Sequence, residues 1–213
     1  MTIDYDNFTR ASDMMHWLQG GALLALGAAE AYALDNNGEK VSLASSLILT
    51  ASGAAMLAVM LALPGGWNLA QLAEALQLRR GFYLFIAFAC IYTAAGLSRL
   101  MRGEEHNGGA WQALFLAQLA FAGALYFLTA WRVNEEAWLQ VLVWNSAVGL
   151  TLLLAVAART ADMFLHRRAL RFAWASLLII TGLQLVSYRE TPGAFAPRLI
   201  TLESAPDVPR QLR

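Results

Sequence analysis

The sequence predicts an all-α protein: a polytopic transmembrane helical bundle of about six spanning helices, with one short amphipathic helix lying in the membrane interface. Three observations lead to this expectation. Of 213 residues, 58% are hydrophobic and only 14% are charged, against roughly 25% charged in an average soluble chain. That leaves too little polar surface to cover a globule in water. Six apolar stretches, 15–34, 43–63, 82–100, 111–131, 138–158 and 170–188, reach or approach the ~20 residues that cross about 30 Å of hydrocarbon. None alternates with period two, as the strands of a transmembrane barrel would. Helices remain, because they satisfy every backbone polar group within the segment.

Residues 1–14 form an N-terminal extramembrane segment in which Asp4, Asp6 and Asp13 stand against Arg10. A secretory leader has a basic front end, so 15–34 reads as a retained first span. Small residues recur every fourth position in the first span (Gly21, Ala25, Ala29, Ala33) and in the second (Thr50, Ala54, Ala58, Ala62). This rhythm lets membrane helices approach closely, and the short connection 35–42 makes a tight hairpin the expectation. Ala113 with Ala117, and Ala120 with Ala124, repeat the rhythm in the fourth span.

Pro64-Gly65-Gly66 stops the second span. In 67–78, Leu69, Leu72, Ala73 and Leu76 recur at helical spacing while Asn68, Gln71 and Glu74 lie elsewhere around the axis. This segment is too short to span and reads as an interfacial helix. Arg79-Arg80-Gly81 then returns the chain to the membrane. The transmembrane domain runs over 15–188. The tail, 189–213, contains Pro192, Pro197, Pro206 and Pro209 and is expected to be extended or disordered, suited to docking on a partner. Trp17, Trp111, Trp131, Trp138 and Trp144 fall near the ends of apolar runs, where an aromatic belt sits. Basic residues divide almost evenly between the two faces of a six-span layout, so they fix no orientation.

Composition also limits function. Fifteen basic residues balance fifteen acidic ones, which gives no polycationic footprint for nucleic acid. Cys90 is the only cysteine, so an intrachain disulfide and a thiolate metal cage are both excluded. The chain lacks a Gly-x-Ser-x-Gly elbow and phosphate-cradling glycine loops.

Ionisable groups at membrane depth are costly and point to function. Glu30, near the end of the first span, and Arg99, near the end of the third, belong to one membrane face. They form either a structural pair or, with Asp162, a proton-handling or ligand-binding set. The same face collects Asp35, Glu39, Glu104, Glu105, His106, Asp162 and His166. Asp162 and His166 are four apart and stack along one side of a helix. With His106 they are the metal candidates, because a carboxylate beside an imidazole can ligate a divalent metal or orient the ring for proton transfer. Gln19, Gln118, Asn145, Thr151, Thr181 and Gln184 supply uncharged polar groups within the spans. His16 stands apart, at the opposite end of the first span.

The stretch 80–131, with Ala95-Gly96-Leu97-Ser98-Arg99-Leu100 at its centre, slightly resembles the membrane sensor domain of ethylene-receptor-type histidine kinases. That family carries a Cys-Gly-x-Thr-His-Leu motif whose cysteine and histidine bind copper. Ala95 and Arg99 stand at those two positions here, so the resemblance implies a sensor-like module without the copper site.

Three readings follow. The first is a non-enzymatic subunit of a membrane complex or a sensor-like regulatory module. The second is a small channel or carrier using Glu30 and the intramembrane amides. The third is a membrane-embedded enzyme with a divalent metal on the carboxylate–histidine face. The expected location is a cell membrane, multi-pass and of the bacterial cytoplasmic type. Expected partners are the lipid bilayer and a protein partner or second copy of the chain, and nucleic acid is not expected.

The six-span layout has a direct check. With Cys90 replaced, single cysteines introduced into 35–42 and 103–110 should react with a membrane-impermeant maleimide from the same side of sealed vesicles. Labelling from opposite sides would dissolve the shared rim.

Overall fold

The computed structural model describes residues 5–102 and 109–196, and among them every regular element is helical. Helix α1 is Tyr5–Tyr32, α2 is Glu39–Ala62, α3 is Leu69–Leu78 and α4 is Tyr83–Arg102, entered through a 3-10 turn at Arg80–Phe82. Helix α5, Ala110–Leu125, tightens into a 3-10 segment at Tyr126–Arg132, and α6, Glu135–Leu165, and α7, Arg168–Ser187, follow.

Among the described residues, four helices are long and apolar enough to cross a membrane: Glu39–Ala62, Arg80–Met101, Glu135–Leu165 and Arg168–Ser187. The other two long helices differ for separate reasons. Helix α1 has 28 residues but carries Asp13, His16, Gln19 and Glu30, which dilute its hydropathy. Helix α5 has 16 residues before its geometry changes to 3-10.

The helix ends follow from local chemistry. Asn68 caps α3, its side-chain oxygen accepting from the amides of Ala70 (2.8 Å) and Gln71 (3.4 Å). Asn134 caps α6 by accepting from Ala137 N–H at 3.1 Å, and Glu135 and Glu136 add favourable charge in the first turn. At the other end of α6, His166 takes the left-handed conformation (φ 49°) and its amide returns to the Asp162 carbonyl. That stop produces the tight turn into α7. Hydroxyls inside the helices bond back to their own backbone, as Thr50 does to Ser46, Thr93 to Ala89 and Thr181 to Leu177, so they need no water.

Each long helix packs on the next, and α1 closes the ring against α7, its most extensive contact. Gly20 and Gly182 meet there: a Cβ on Gly182 would fall 2.8 Å from the Gly20 carbonyl oxygen, and one on Gly20 would fall 2.7 Å from that of Gly182. Between α2 and α4, a Cβ on Gly53 would lie 2.5 Å from the Ala89 carbonyl oxygen. Close approach of small residues therefore operates, along only part of the stripes that the four-residue rhythm predicts: Ala29 is buried, and a Cβ on Gly96 would fall 2.5 Å from the Thr50 amide nitrogen. A Cβ on Gly21 would meet nothing within 4 Å, and Ala54, Ala58, Ala113, Ala117 and Ala124 are exposed. Alanine repeats mark faces that could approach. The faces that do are those where glycine admits a neighbouring carbonyl.

The tail behaves differently in its first part. Residues 189–196 have no helical period, yet Glu190, Ala194 and Phe195 are buried. Phe195 meets Phe82 edge-on, with centroids 5.0 Å apart. Asn134 holds the turn, donating from its amide to Ala194 O and from its side chain to Gly193 O, each at 2.9 Å. Residues 197–213 lie outside the described residues.

The packing assignment predicts opposite outcomes for two glycines. Gly182→Leu should destabilise by about 1–3 kcal/mol through overpacking, lowering the thermal midpoint in detergent, whereas Gly21→Leu should leave it unchanged.

Candidate functional site

Alternate helices run in opposite directions, so the bundle has two polar ends. At one end, Ser12, His16 and Gln19 stand at i, i+4 and i+7 on α1, one face of a helix, and all three are buried. Arg132, the last residue of the 3-10 segment after α5, comes in beside them, and Glu190 arrives from the turn after α7. The Arg132 Nη1 to Glu190 Oε2 distance is 2.9 Å, and neither side chain has any exposed surface.

This pair is embedded in further donors. The Ser12 hydroxyl donates to Glu190 Oε2 (2.5 Å) and accepts from Arg132 Nη1 (2.5 Å). The Tyr188 hydroxyl donates to Glu190 Oε1 (2.7 Å). The Glu190 amide donates to Asp13 Oδ1 at 2.8 Å. The Arg132 guanidinium also lies 4.9 Å from the Phe85 ring centroid and 5.7 Å from that of Phe195, and its Nε and Nη2 are buried without a hydrogen-bond partner.

Deeper along the stripe, the His16 Nδ1 is 2.7 Å from the Ser12 carbonyl oxygen, a contact that requires a proton on Nδ1. Its Nε2 faces Asn145 Oδ1 at 3.4 Å, and the Asn145 amide is oriented by donating to Val141 O at 3.0 Å. Gln19 Oε1 accepts from the Tyr126 hydroxyl at 3.0 Å, and that hydroxyl is 3.5 Å from the Tyr92 hydroxyl. The Gln19 Nε2 is buried with no hydrogen-bond partner.

Electrostatics at the mouth of this cluster follow from burial and charge. For Glu190, burial pushes the carboxyl pKa up, but Arg132, His16 and the Ser12 and Tyr188 hydroxyls outweigh it and hold the group below its ordinary value. Asp13 goes the other way: burial dominates and raises it.

The opposite end holds the residues singled out from sequence. Glu30 Oε1 pairs with Arg99 Nη1 at 2.6 Å, with side chains 15% and 2% exposed. Arg99 also donates to Ser42 Oγ at 3.2 Å and lies 5.6 Å from the Phe115 ring centroid. Asp35 pairs with Arg168, which joins the loop after α1 to the start of α7. Asp162 is buried and pairs with Arg159 at 2.6 Å, and Arg171 is 3.6 Å away. His166 lies one helical turn beyond Asp162 but is exposed, at the residue where the helix stops. Glu104, Glu105 and His106 lie outside the described residues. Among the described residues, no group of three or more His, Cys, Asp or Glu side chains converges as a metal site would require. The structure thus brings Glu30 to Arg99 and Asp162 to Arg159, and leaves His166 at the surface.

Sequence reasoning singled out neither Arg132 nor Glu190, which falls in the expected tail, 189–213, and so missed their pairing. The available signal was the run Ser12, His16, Gln19, three polar residues at helical spacing beside an apolar span.

Removing Arg132 leaves a buried carboxylate without its counter-charge. Arg132→Ala should therefore destabilise by about 3–5 kcal/mol, and a joint Arg132→Met, Glu190→Leu replacement should recover most of the loss. The pKa direction adds a pH test. The stability due to Glu190 is present above the ordinary carboxylate value of 4.5 and is lost as pH falls from there through its lowered folded value. Thermal midpoints should accordingly fall more steeply with acid in the wild type than in Glu190→Gln. Asp13 contributes the opposite sign, and because the Glu190 charge helps to raise it, its opposing contribution is smaller in Glu190→Gln.

No protein-family model, curated protein or solved structure matches this chain. The resemblance of 80–131 to ethylene-receptor sensors therefore gains no support from these comparisons; Ala95 is a core residue and Arg99 is the partner of Glu30.

Proposed function

We propose that this chain is a multi-pass protein of a cell membrane, of the bacterial cytoplasmic type, that serves as a non-enzymatic subunit of a membrane complex or as a sensor-like regulatory module. One observation carries this reading. The carboxylates best placed for chemistry each face an arginine of the same chain: Glu30 with Arg99, Asp162 with Arg159, and Glu190 with Arg132. A carboxylate held by a fixed guanidinium is a poor cation carrier and a poor general base. What the bundle offers outward is apolar, including Phe121, Leu139, Val143, Phe164 and Phe172, all exposed, a surface suited to lipid and to neighbouring helices.

The same reading favours six crossings. The polar side chains Ser12, His16 and Gln19 of α1 are buried while Met14 and Trp17 on other faces are exposed, so hydropathy understates how apolar its outer face is. Helix α5 with its 3-10 continuation covers residues 110–132, about 38 Å at the two helical rises, enough to cross the hydrocarbon.

A second reading, a small channel or carrier, is favoured by the unpartnered Gln19 amide beside the two tyrosine hydroxyls. Against it, Leu23 and Leu26 lie on the stripe between Gln19 and Glu30 and are wholly buried, so apolar packing separates the polar groups at the two ends.

Gentle purification followed by native mass spectrometry should find a stoichiometric protein partner or a defined oligomer, and proteoliposomes should show no solute or proton flux above protein-free vesicles. Flux that disappears in a folded Glu30→Gln variant would replace the module with the carrier.

A further inference from the structure

The Arg132 end also carries a cavity that the buried cluster does not use. It is an open cavity of about 300 Å³ whose lining includes Gln77, Arg79, Arg80, Gly81, Trp131 and Arg132, with no carboxylate among the lining residues. Arg132 is answered by Glu190. Arg79 donates to the carbonyl oxygen of Phe195 and lies 5.5 Å from the Tyr5 ring centroid, so among the described residues its charge meets no carboxylate. Arg80 is exposed and has neither a hydrogen bond nor an ion pair there.

The walls are fixed to each other. A Cβ on Gly81 would fall 2.5 Å from Arg132 Cα, so the turn before α4 and the end of the 3-10 segment touch through backbone. Two candidate spans, Arg80–Met101 and Glu135–Leu165, begin at or just past this cavity, so on the membrane reading it lies at the bilayer surface. Trp131 is 79% exposed on its wall and Trp67 and Leu69 are exposed at the start of α3, the side chains that anchor a protein at headgroup depth.

We propose that this cavity binds the phosphate of an anionic phospholipid headgroup. Guanidinium groups present paired N–H donors that match phosphate oxygens, and two uncompensated arginines favour a lipid with net negative charge over a zwitterion. Arg80, with nothing else to hold it, is the primary contact, and Arg79 supplies the second charge from a fixed position. Free phosphate shares this chemistry, and the depth of the cavity favours the headgroup as its source.

The test uses the full chain in a neutral detergent, titrated at constant ionic strength with short-chain phosphatidylglycerol, phosphatidylcholine or inorganic phosphate, with the thermal midpoint as readout. Phosphatidylglycerol should raise the midpoint well above phosphatidylcholine. Arg80→Gln should weaken the apparent affinity about fivefold, and Gln77→Glu, which adds a carboxylate to the wall, should weaken it as well. Arg10→Gln removes the same charge from an exposed position near this end of α1 and should leave affinity unchanged. Protection that survives both cavity variants, or falls equally in Arg10→Gln, would overturn the site. Equal protection by inorganic phosphate would overturn the headgroup as ligand. The proposal rests on the membrane reading, but it is measured on the isolated chain, so its failure is distinguishable from absence of a partner or presence of flux.

Discussion

A guanidinium with no exposed surface must have its charge answered inside the protein, because an unpaired ion in a low-dielectric interior costs several kcal/mol. Arg132 is such a group, and Glu190 answers it across a separation of 58 residues in sequence. The contact needs α5 to end where it does, α7 to return to the same level, and Ser12 on α1 to bridge the pair through its hydroxyl, while Arg132 Nε and Nη2 stay buried without a hydrogen bond. Three parts of the bundle are thereby fastened at one end. The turn after α7 is fastened with them, which is why residues 189–196 pack on the helices despite lacking a helical period.

The other end uses the same device in a looser form. Glu30 and Arg99 join α1 to α4, and Asp35 and Arg168 join the loop after α1 to the start of α7. The second pair is largely exposed and contributes little to stability. The first is largely withdrawn from water, so its value lies in neutralising two charges that lipid would not tolerate alone. Between the ends, the ring of helices closes through glycine contacts and an apolar core that includes Leu23, Leu26, Leu49, Leu119, Leu152 and Leu178. The ion pairs thus occupy the two ends of the bundle, with the apolar core between them.

This arrangement bears on function by elimination among carboxylates. A membrane carboxylate free to change its protonation or its ligand is the usual signature of transport or metal chemistry. Here arginines hold Glu30, Asp162 and Glu190, while Arg79 and Arg80, which have no ion pair among the described residues, line one cavity. On the membrane reading proposed above, that cavity suits contact with lipid headgroups better than chemistry inside the bundle.

Much of the architecture was legible without coordinates. The all-helical fold, the short helix after Pro64-Gly65-Gly66 and the meeting of Glu30 with Arg99 all follow from period, length and chain reversal, which are local or nearly local properties. The weak points were those where hydropathy averages over a whole helix. In α1 the average cannot tell that Ser12, His16 and Gln19 all turn inward, and in the fourth apolar stretch it cannot register the change from α to 3-10 geometry. Small-residue repeats were informative only in part: Thr50 and Ala29 are packed closely, but alanine spacing names every face that permits approach, and packing selects among them.

What the sequence determined by itself was the element type, because a 58% hydrophobic chain with no period-two alternation satisfies its backbone polar groups within helices, four of them long and apolar enough to cross a membrane among the described residues. What tertiary structure alone decided was which charges meet. Pairing of Arg132 with Glu190, closure of α1 on α7 through Gly20 and Gly182, and exposure of Arg80 depend on how helices rotate about their axes and where each one stops. Those choices are made by packing between segments far apart in the chain, and no window of local sequence contains them.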